Sequence, residues 1–492
     1  MTLDSSNAAL AERYDSVPYA AVPHPFTTPD RLATVAAFLG LEPPLVAHAR
    51  VLEVGCNDGA NLVPLAAAFP EARFVGCDLS TRALDDGRRT IAALGLRNIA
   101  LVAEDLTALS PAHGEFDYII AHGGYSWVPV AVRDGLFALA QARLARNGVM
   151  FVSYNALPGA RARQTAWEVL HYHTDGMADP RARLDAARQL ARIVADGARS
   201  LYDGDDALRA AFRVLAQKSD SELCHDDLAV PNEPVWFHAF VAHAARFGLG
   251  YLADADLHTM SAAGLDPAAH AFLGTLDPLA REQYLDFVRL RRFRQSLVGH
   301  RDFVGRRVPD AQRLRSMHVA ADPSLQRAAE AGKLADLARG LDPADNGGGP
   351  VRAMLDDLLA ASPAALAVGA LERRNYPRPL AAILTDAFVA NIVALHVAPP
   401  TVVAAISRQP RTSGLARYEA VTREHATSAL HTRVRLPDPN ARRLLALLDG
   451  TRDAAALASA MIDPTRGLDA IQAPRFVAHA LAQFARLGLL VA

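Results

Sequence analysis

Residues 53–59, Glu53-Val-Gly55-Cys56-Asn57-Asp-Gly59, carry an acid followed by small residues at alternate positions. Where a strand turns into a helix, that spacing points unpaired backbone N–H groups at a ligand. A dinucleotide loop of the G-x-G-x-x-G kind would need glycine where Asn57 and Ala60 stand, so two of its three positions fail. Asparagine is the non-glycine residue best suited to a left-handed backbone, so the turn can still close tightly. A plain strand-to-helix turn, with glycine present for packing alone, is the alternative.

Further acids follow at the ends of apolar runs. "RFVGCDLS" ends in Asp78 and Leu79, a position from which a carboxylate accepts both hydroxyls of a ribose. "VAEDLTAL" sets Asp105 beside Leu106, an acceptor for an adenine amino group next to an apolar face for its ring; a helix N-cap is the other reading of Asp105. Cys56, Asn61 and His122 complete the expected cofactor-facing set. The fourth run, "FDYIIAHGGYSWVP", offers His122, Tyr125 and Trp127, and "SYNALPGAR" adds Tyr154 and Asn155 to the same rim. Transfer to a desolvated acceptor needs positioning more than a strong base, and aromatic faces steer cations, so these five are the candidate catalytic residues. Packing under neighbouring helices is the alternative for Tyr125 and Trp127, and an interdomain turn for Tyr154 and Asn155.

Short apolar runs alternating with helical periodicity position these residues, the pattern of a parallel α/β sheet. Strands are predicted at 50–55, 72–77, 98–103, 116–121 and 148–153. A charged, Ala-rich helical insertion spans about 158–230, after which a helix, a short strand behind Gly248 and a last strand in "RRFRQSLVG" close the sheet near residue 303. Helix dominates beyond that point, "DPADNGGGP" at 342–350 is the clearest turn-rich stretch, and the last residues read as helix, Asp-Gly turn, helix, helix and strand, a winged-helix-like order. The expected domains are 1–303, with a regulatory-type segment at about 217–300, then 304–400 and 401–492.

A chain of 492 residues exceeds what one core organises, and its formal net charge of -2 argues against a dedicated nucleic-acid binder. Cys56, Cys77 and Cys224 form neither a C-x-x-C pair nor a zinc spacing, so no metal is expected. No apolar run reaches the roughly 20 residues of a membrane span, and the first residues lack the pattern of a signal peptide, so a cytoplasmic protein is expected.

Taken together, "LEVGCNDGANLVPLA", "AHGGYSWVP", "VSYNALPG", "NEPVWFHAFVAHAARFGLGYL" and "RRFRQSLVGH" resemble the successive blocks of class I S-adenosylmethionine (SAM) methyltransferases that carry a methyltransferase regulatory domain. The leading "YDSVPYAAVPHPFTTPDRLATVAAFLGL" fits as well, except that Thr27-Thr28 stands where the family usually has Thr-His before the proline. Members of this family commonly lack glycine at the position of Asn57. The resemblance implies a Rossmann-like sheet, SAM as cofactor, a homodimer, and a protein acceptor. Its best understood branch methylates lysines of bacterial outer-membrane protein. A lysine ε-amine is therefore the expected acceptor, ahead of a small metabolite and of a non-catalytic SAM-sensing scaffold. The lack of an N-P-P-Y-type motif after the fourth run disfavours adenine N6 or glutamine as acceptors.

Overall fold

A computed structural model describes Val17, Tyr19 and residues 21–197, 206–306 and 311–491. Its centre is a seven-stranded sheet: β1 Arg50–Val54, β2 Arg73–Cys77, β3 Ile99–Val102, β4 Phe116–Ala121, β5 Leu144–Asn155, β6 Leu249–Asp254 and β7 Phe293–His300. Their order is β3-β2-β1-β4-β5-β7-β6. Neighbours from β3 to β5 pair in parallel, whereas β7 runs antiparallel to both β5 and β6. That reversed strand sets the sheet apart from the dinucleotide fold, whose strands follow the order 3-2-1-4-5-6.

Alternation along the strands sends side chains to two cores. Val51, Phe74, Tyr118 and Phe151 face one, where α1 (Pro29–Phe38) packs. Leu52, Ile119, Met150 and Tyr154 face the other, beneath α4 (Val130–Arg143) and α8 (Phe237–Arg246). The helices between β1, β2 and β3 are α2 (Leu62–Ala68) and α3 (Thr81–Leu94). Strand β5 begins earlier than the expected residue 148, because Leu144 already pairs with Phe116 across an irregular register.

The insertion consists of α5 (Arg161–Thr174), α6 (Pro180–Asp196), α7 (Asp206–Gln217) and a short irregular helix ending at Asp227. Trp167, Leu170, Leu184, Phe212 and Leu215 give it a core of its own. A fully buried carboxylate, that of Asp227, gathers Trp167 Nε1 at 2.6 Å, Arg163 at 2.6 Å and Lys218 Nζ at 2.6 Å. A charge taken out of water needs such partners, and these fasten three segments of the insertion together.

The middle region is mostly helical, as expected, and also contains three short strands. His318–Ala321, Leu366–Ala367 and Val393–His396 form a three-stranded antiparallel sheet. Strands of two to four residues are too short for a period-2 pattern to emerge between helices. This sheet is docked on α1: His396 Nδ1 lies 2.7 Å from Asp30, and Thr34 Oγ1 accepts from Val397 N at 3.0 Å. The C-terminal region is a winged-helix domain, with helices Pro439–Leu447, Ala454–Met461 and Gln472–Arg486 around Leu444, Leu457, Val477 and Phe484.

Candidate active site

The carboxyl ends of β1, β2, β3 and β4 open into a cavity of about 440 Å³. Glu53, Gly55, Cys56, Asn57 and Asn61 line it from the first turn. Asp78 and Leu79 follow β2, Asp105 and Leu106 follow β3, and His122, Tyr125 and Trp127 follow β4. The spacing of acids at strand ends thus converges on one crevice, where the first βα turns meet.

In the loop, Gly55, Asn57 and Gly59 have φ of 72°, 50° and 72°. Asn57 therefore occupies the left-handed region where glycine is usual, and its Oδ1 accepts from the next N–H, that of Asp58, at 2.7 Å. Its own N–H donates to Asp78 Oδ2 at 2.8 Å, which ties the loop to the end of β2. The other Asp78 oxygen accepts from Ser80 N at 2.9 Å. Gly59 does not line the cavity: a Cβ there would stand 3.2 Å from Leu101, so this residue serves the turn into α2. Asp105 caps the following turn through Thr107 N at 2.7 Å and also lines the cavity.

Glu53 is buried at the floor. Asn61 Nδ2 donates to its Oε1 at 2.9 Å, while Oε2 is buried with no partner among the described residues. Burial, opposed by the Asn61 bond and aided by Asp78, pushes its carboxyl up to about 8. A buried acceptor without a donor is costly unless a ligand supplies one. Cys56 is buried as well, and desolvation lifts its thiol far above the ordinary range, so it is a small apolar wall rather than a nucleophile.

His122 Nδ1 lies 2.9 Å from Ser153 Oγ, and its ring meets His24 edge-on at 4.2 Å between centroids. Burial lowers His122 to about 3 and His24 to about 4, so both imidazoles are neutral near pH 7. Tyr125 turns its hydroxyl away, to His243 Nδ1 at 2.7 Å, and His243 in turn reaches Asp134 at 2.7 Å. The Tyr125 ring is buried, with Phe240 edge-on at 5.3 Å and the Arg133 guanidinium over it at 5.3 Å. Trp127 Nε1 donates to Asp226 O at 3.0 Å, pinning the end of the insertion over the β4 loop.

Tyr154 is not on the rim. It is fully buried, stacks on Phe240 at 4.3 Å and bonds Ser296 at 3.1 Å. The reason is strand period: β5 continues through Asn155, so Ser153 and Asn155 share one face and Tyr154 takes the other. Asn155 lines a second cavity of about 280 Å³ rather than the first.

Sequence reasoning missed three participants. His24 comes from the leading segment and Asp226 from the end of the insertion, and both line the first cavity. His431 reaches Asn61 from the C-terminal domain at 2.8 Å. Of these, only His24 lay in a stretch with a sequence signal, the leading block. The Thr27-Thr28 pair has local work: Thr27 Oγ1 donates to His24 O at 2.9 Å and accepts from Asn61 Nδ2 at 3.0 Å, while Thr28 caps α1. Among the described residues there is no cluster of three or more potential metal ligands, and no helix is long and apolar enough to cross a membrane.

Residues 51–148 match the methyltransferase domain family, 219–300 the family described as a predicted methyltransferase regulatory domain, and 409–467 the family described as PKMT, C-terminal winged helix domain. An uncharacterised protein of Rickettsia prowazekii is 38% identical over 291 residues, covering 59% of this chain and 53% of its own. A second protein of that organism is 32% identical over 234 residues, covering 47% of this chain and 94% of its own. The chain therefore spans about half the length of the first of these relatives. The structure of PKMT2 from Rickettsia typhi superposes with a TM-score of 0.80 at 25% identity over 96% of this chain and all of that one. The same protein in complex with AdoHcy gives 0.77.

Proposed function

Because the chain belongs to the class I SAM-dependent methyltransferases, we propose that it methylates a protein acceptor, with the ε-amine of lysine as the acceptor group. The observation that carries the cofactor side is the meeting of Glu53, Asp78 and Asp105 at one cavity, with Glu53 Oε2 buried and lacking a donor. The residues present fit the cofactor: Asp78 takes the ribose hydroxyls, Asp105 the adenine amino group, Leu79 and Leu106 the ring faces, and the 55–61 backbone with Glu53 the methionyl end. When bound, SAM supplies an electrophilic methyl group on a sulfonium, and the electron pair of the broken carbon–sulfur bond stays with sulfur.

The chain's own residues position and desolvate the acceptor. His122 and His24, neutral and buried, add no positive charge beside a cationic ligand. Trp127, which lines both cavities, offers an aromatic wall to either cation, and Tyr125 backs the site from beneath Arg133. A lysine amine has an ordinary pKa of about 10.4 and must lose a proton to attack; desolvation in such a site lowers that value. The roles of these residues, the division at 1–303, 304–400 and 401–492, and assembly as a homodimer are part of the same reading. Three free cysteines support a cytoplasmic setting. The names of the winged-helix family and of the Rickettsia typhi neighbour favour the protein acceptor; an outer-membrane or surface protein is the specific candidate.

The test is transfer of a labelled methyl group from SAM into a lysate of the host, followed by separate protease and nuclease digestion. Label lost only to protease, and located on lysine by mass spectrometry, supports the reading. Label confined to a small-molecule fraction would replace it with a metabolite methyltransferase.

A further inference from the structure

The second cavity, of about 280 Å³, adjoins the first: Tyr19, His122, Gly123, Trp127 and Asp226 line both. Its remaining walls come from elements outside the nucleoside-binding half of the sheet. Asn155 closes it from the end of β5, Phe293 from the start of β7, and Ala207, Ala211 and Val214 from α7 of the insertion. Those three alpha-helical positions are spaced by four and three residues, which puts them on one face. We propose that this cavity is the acceptor subsite, and that it receives a lysine side chain of a protein segment along the small-residue face of α7. The proposal rests on the methyltransferase reading above and assigns the place where its acceptor sits.

Four observations argue for an aliphatic amine. The size lies just below the ~300–1,000 Å³ typical of pockets for drug-sized ligands, which suits one side chain better than a multi-ring metabolite. Ala211, Val214, Trp127 and Phe293 give an apolar and aromatic stretch of wall that suits an alkyl stem, while Arg163 and Arg292, also on the wall, favour the neutral amine that must attack. Two acceptors are left for an amine: Asn155 Oδ1 and Asp226 Oδ1 take no hydrogen bond from the described residues, although Asn155 Nδ2 is held by Asn232 at 3.2 Å and Asp226 Oδ2 by Lys218 at 3.3 Å. Finally, the cavity shares His122, Gly123 and Trp127 with the cofactor cavity, so a side chain within it ends beside the cofactor without crossing the ribose or adenine positions.

The geometry also explains why the insertion is anchored as it is. Trp127 donates to the backbone oxygen of Asp226, and Asn232 Nδ2 donates to the same atom at 2.6 Å. Arg163, another wall residue, is held by the buried Asp227. The subsite is thus assembled by fixed side chains rather than by a free loop, as pre-organisation of an acceptor requires.

The probe is an S-adenosylhomocysteine analogue in which a tertiary amine replaces sulfur and carries a butylamine arm; its parent carries methyl instead. On the full chain, calorimetry is expected to show the arm tightening binding about tenfold, with the gain lost in Ala211→Trp and in the more exposed Val214→Trp, while the parent binds all three proteins alike. Two variants, one half-buried and one on the surface, keep the result readable if one fails to fold. A parent that binds while the arm adds nothing in the wild type would overturn the subsite and leave the cofactor reading standing. A gain from a phenethyl arm with none from butylamine would overturn the lysine assignment. Failure of the parent and of S-adenosylhomocysteine to bind would overturn the cofactor reading beneath both.

Discussion

His431 Nε2 lies 2.8 Å from Asn61 Oδ1, although 370 residues separate the two in the chain. Asn61 Oδ1 also accepts from His24 N at 2.8 Å, and Asn61 Nδ2 donates to Glu53 at 2.9 Å. The amide is therefore oriented by its neighbours, and His431 is the donor. One side chain of the cofactor turn joins the leading segment, the floor acid and the C-terminal domain. Arg433 adds a second link, donating to Ala21 O.

His431 is accordingly a positioning residue for Glu53. His431→Ala is expected to weaken S-adenosylhomocysteine binding about tenfold, the size of losing one hydrogen bond to a buried acceptor. His431→Gln, which keeps a donor at similar reach, should recover part of the loss. Titration calorimetry beside thermal melts separates the outcomes: a lowered melting point with unchanged affinity would reduce His431 to a domain contact.

Asp78→Ala should weaken the same ligand by about 30-fold or more, because charge-assisted hydrogen bonds contribute roughly 1.5–3 kcal/mol each and the Asn57 tether goes with them. Asp105→Ala should cost only a few-fold, because it removes one bond to an amino group where Asp78 serves two hydroxyls. Equal losses would show that adenine recognition leans on Asp105 as heavily as ribose recognition on Asp78.

Glu53 gives affinity a pH dependence. Its folded carboxyl titrates at about 8, so below that pH it is protonated, and an ammonium can pair with it only after a proton leaves. Affinity for S-adenosylhomocysteine should rise between pH 6 and 8 by up to about tenfold per unit and level off above. Glu53→Gln should bind more weakly at pH 8 with a flat profile. A wild-type profile equally flat would place the ligand ammonium elsewhere.

Stability should depend on pH with a definite sign. His24, His122 and His431 titrate at about 4, 3 and 3 in the fold against 6.5 when unfolded. Between pH 6.5 and 4 the unfolded chain binds protons that the native chain does not, so stability falls as pH falls, by up to about 1.4 kcal/mol per unit per histidine. Glu53 works the other way, since its folded form holds a proton between its ordinary 4.5 and about 8, and it offsets one histidine. Urea midpoints at pH 6.5 and 4.5 read the net loss, which should be shallower in His431→Gln. No loss would mean that the imidazoles are charged in place.

The regulatory-type segment contains a charge cluster whose work is structural. Arg294 is fully buried, with Asp286 at 2.9 Å, Asp254 at 3.0 Å, Glu282 at 3.2 Å and the Phe237 ring at 4.0 Å. It joins β6, β7 and the helix Pro278–Arg289. Arg294→Met leaves Asp254 and Asp286 to Arg291 and takes from Glu282 its ion-pair partner, and should destabilise the protein by about 3–5 kcal/mol, measured by urea unfolding.

The α/β class, the strand ends and most of the first cavity's lining are legible in the chain alone. Period-2 apolar runs and a Gly/Asn turn are local properties, and a sheet of parallel strands sends their carboxyl ends to one edge whatever else the chain does. Tyr154 shows where local reading stops: its type suited a rim, but two more residues of strand turned it inward to Phe240. What long-range packing added is the contact of His431 with Asn61, the place of Asn155 in a second cavity, and the wall that α7 gives that cavity. Each of these is a contact between segments tens to hundreds of residues apart. Nothing in the local pattern of either partner encodes such a contact; it arises when distant segments pack, with buried polar groups such as Asn61 and His431 finding partners in each other.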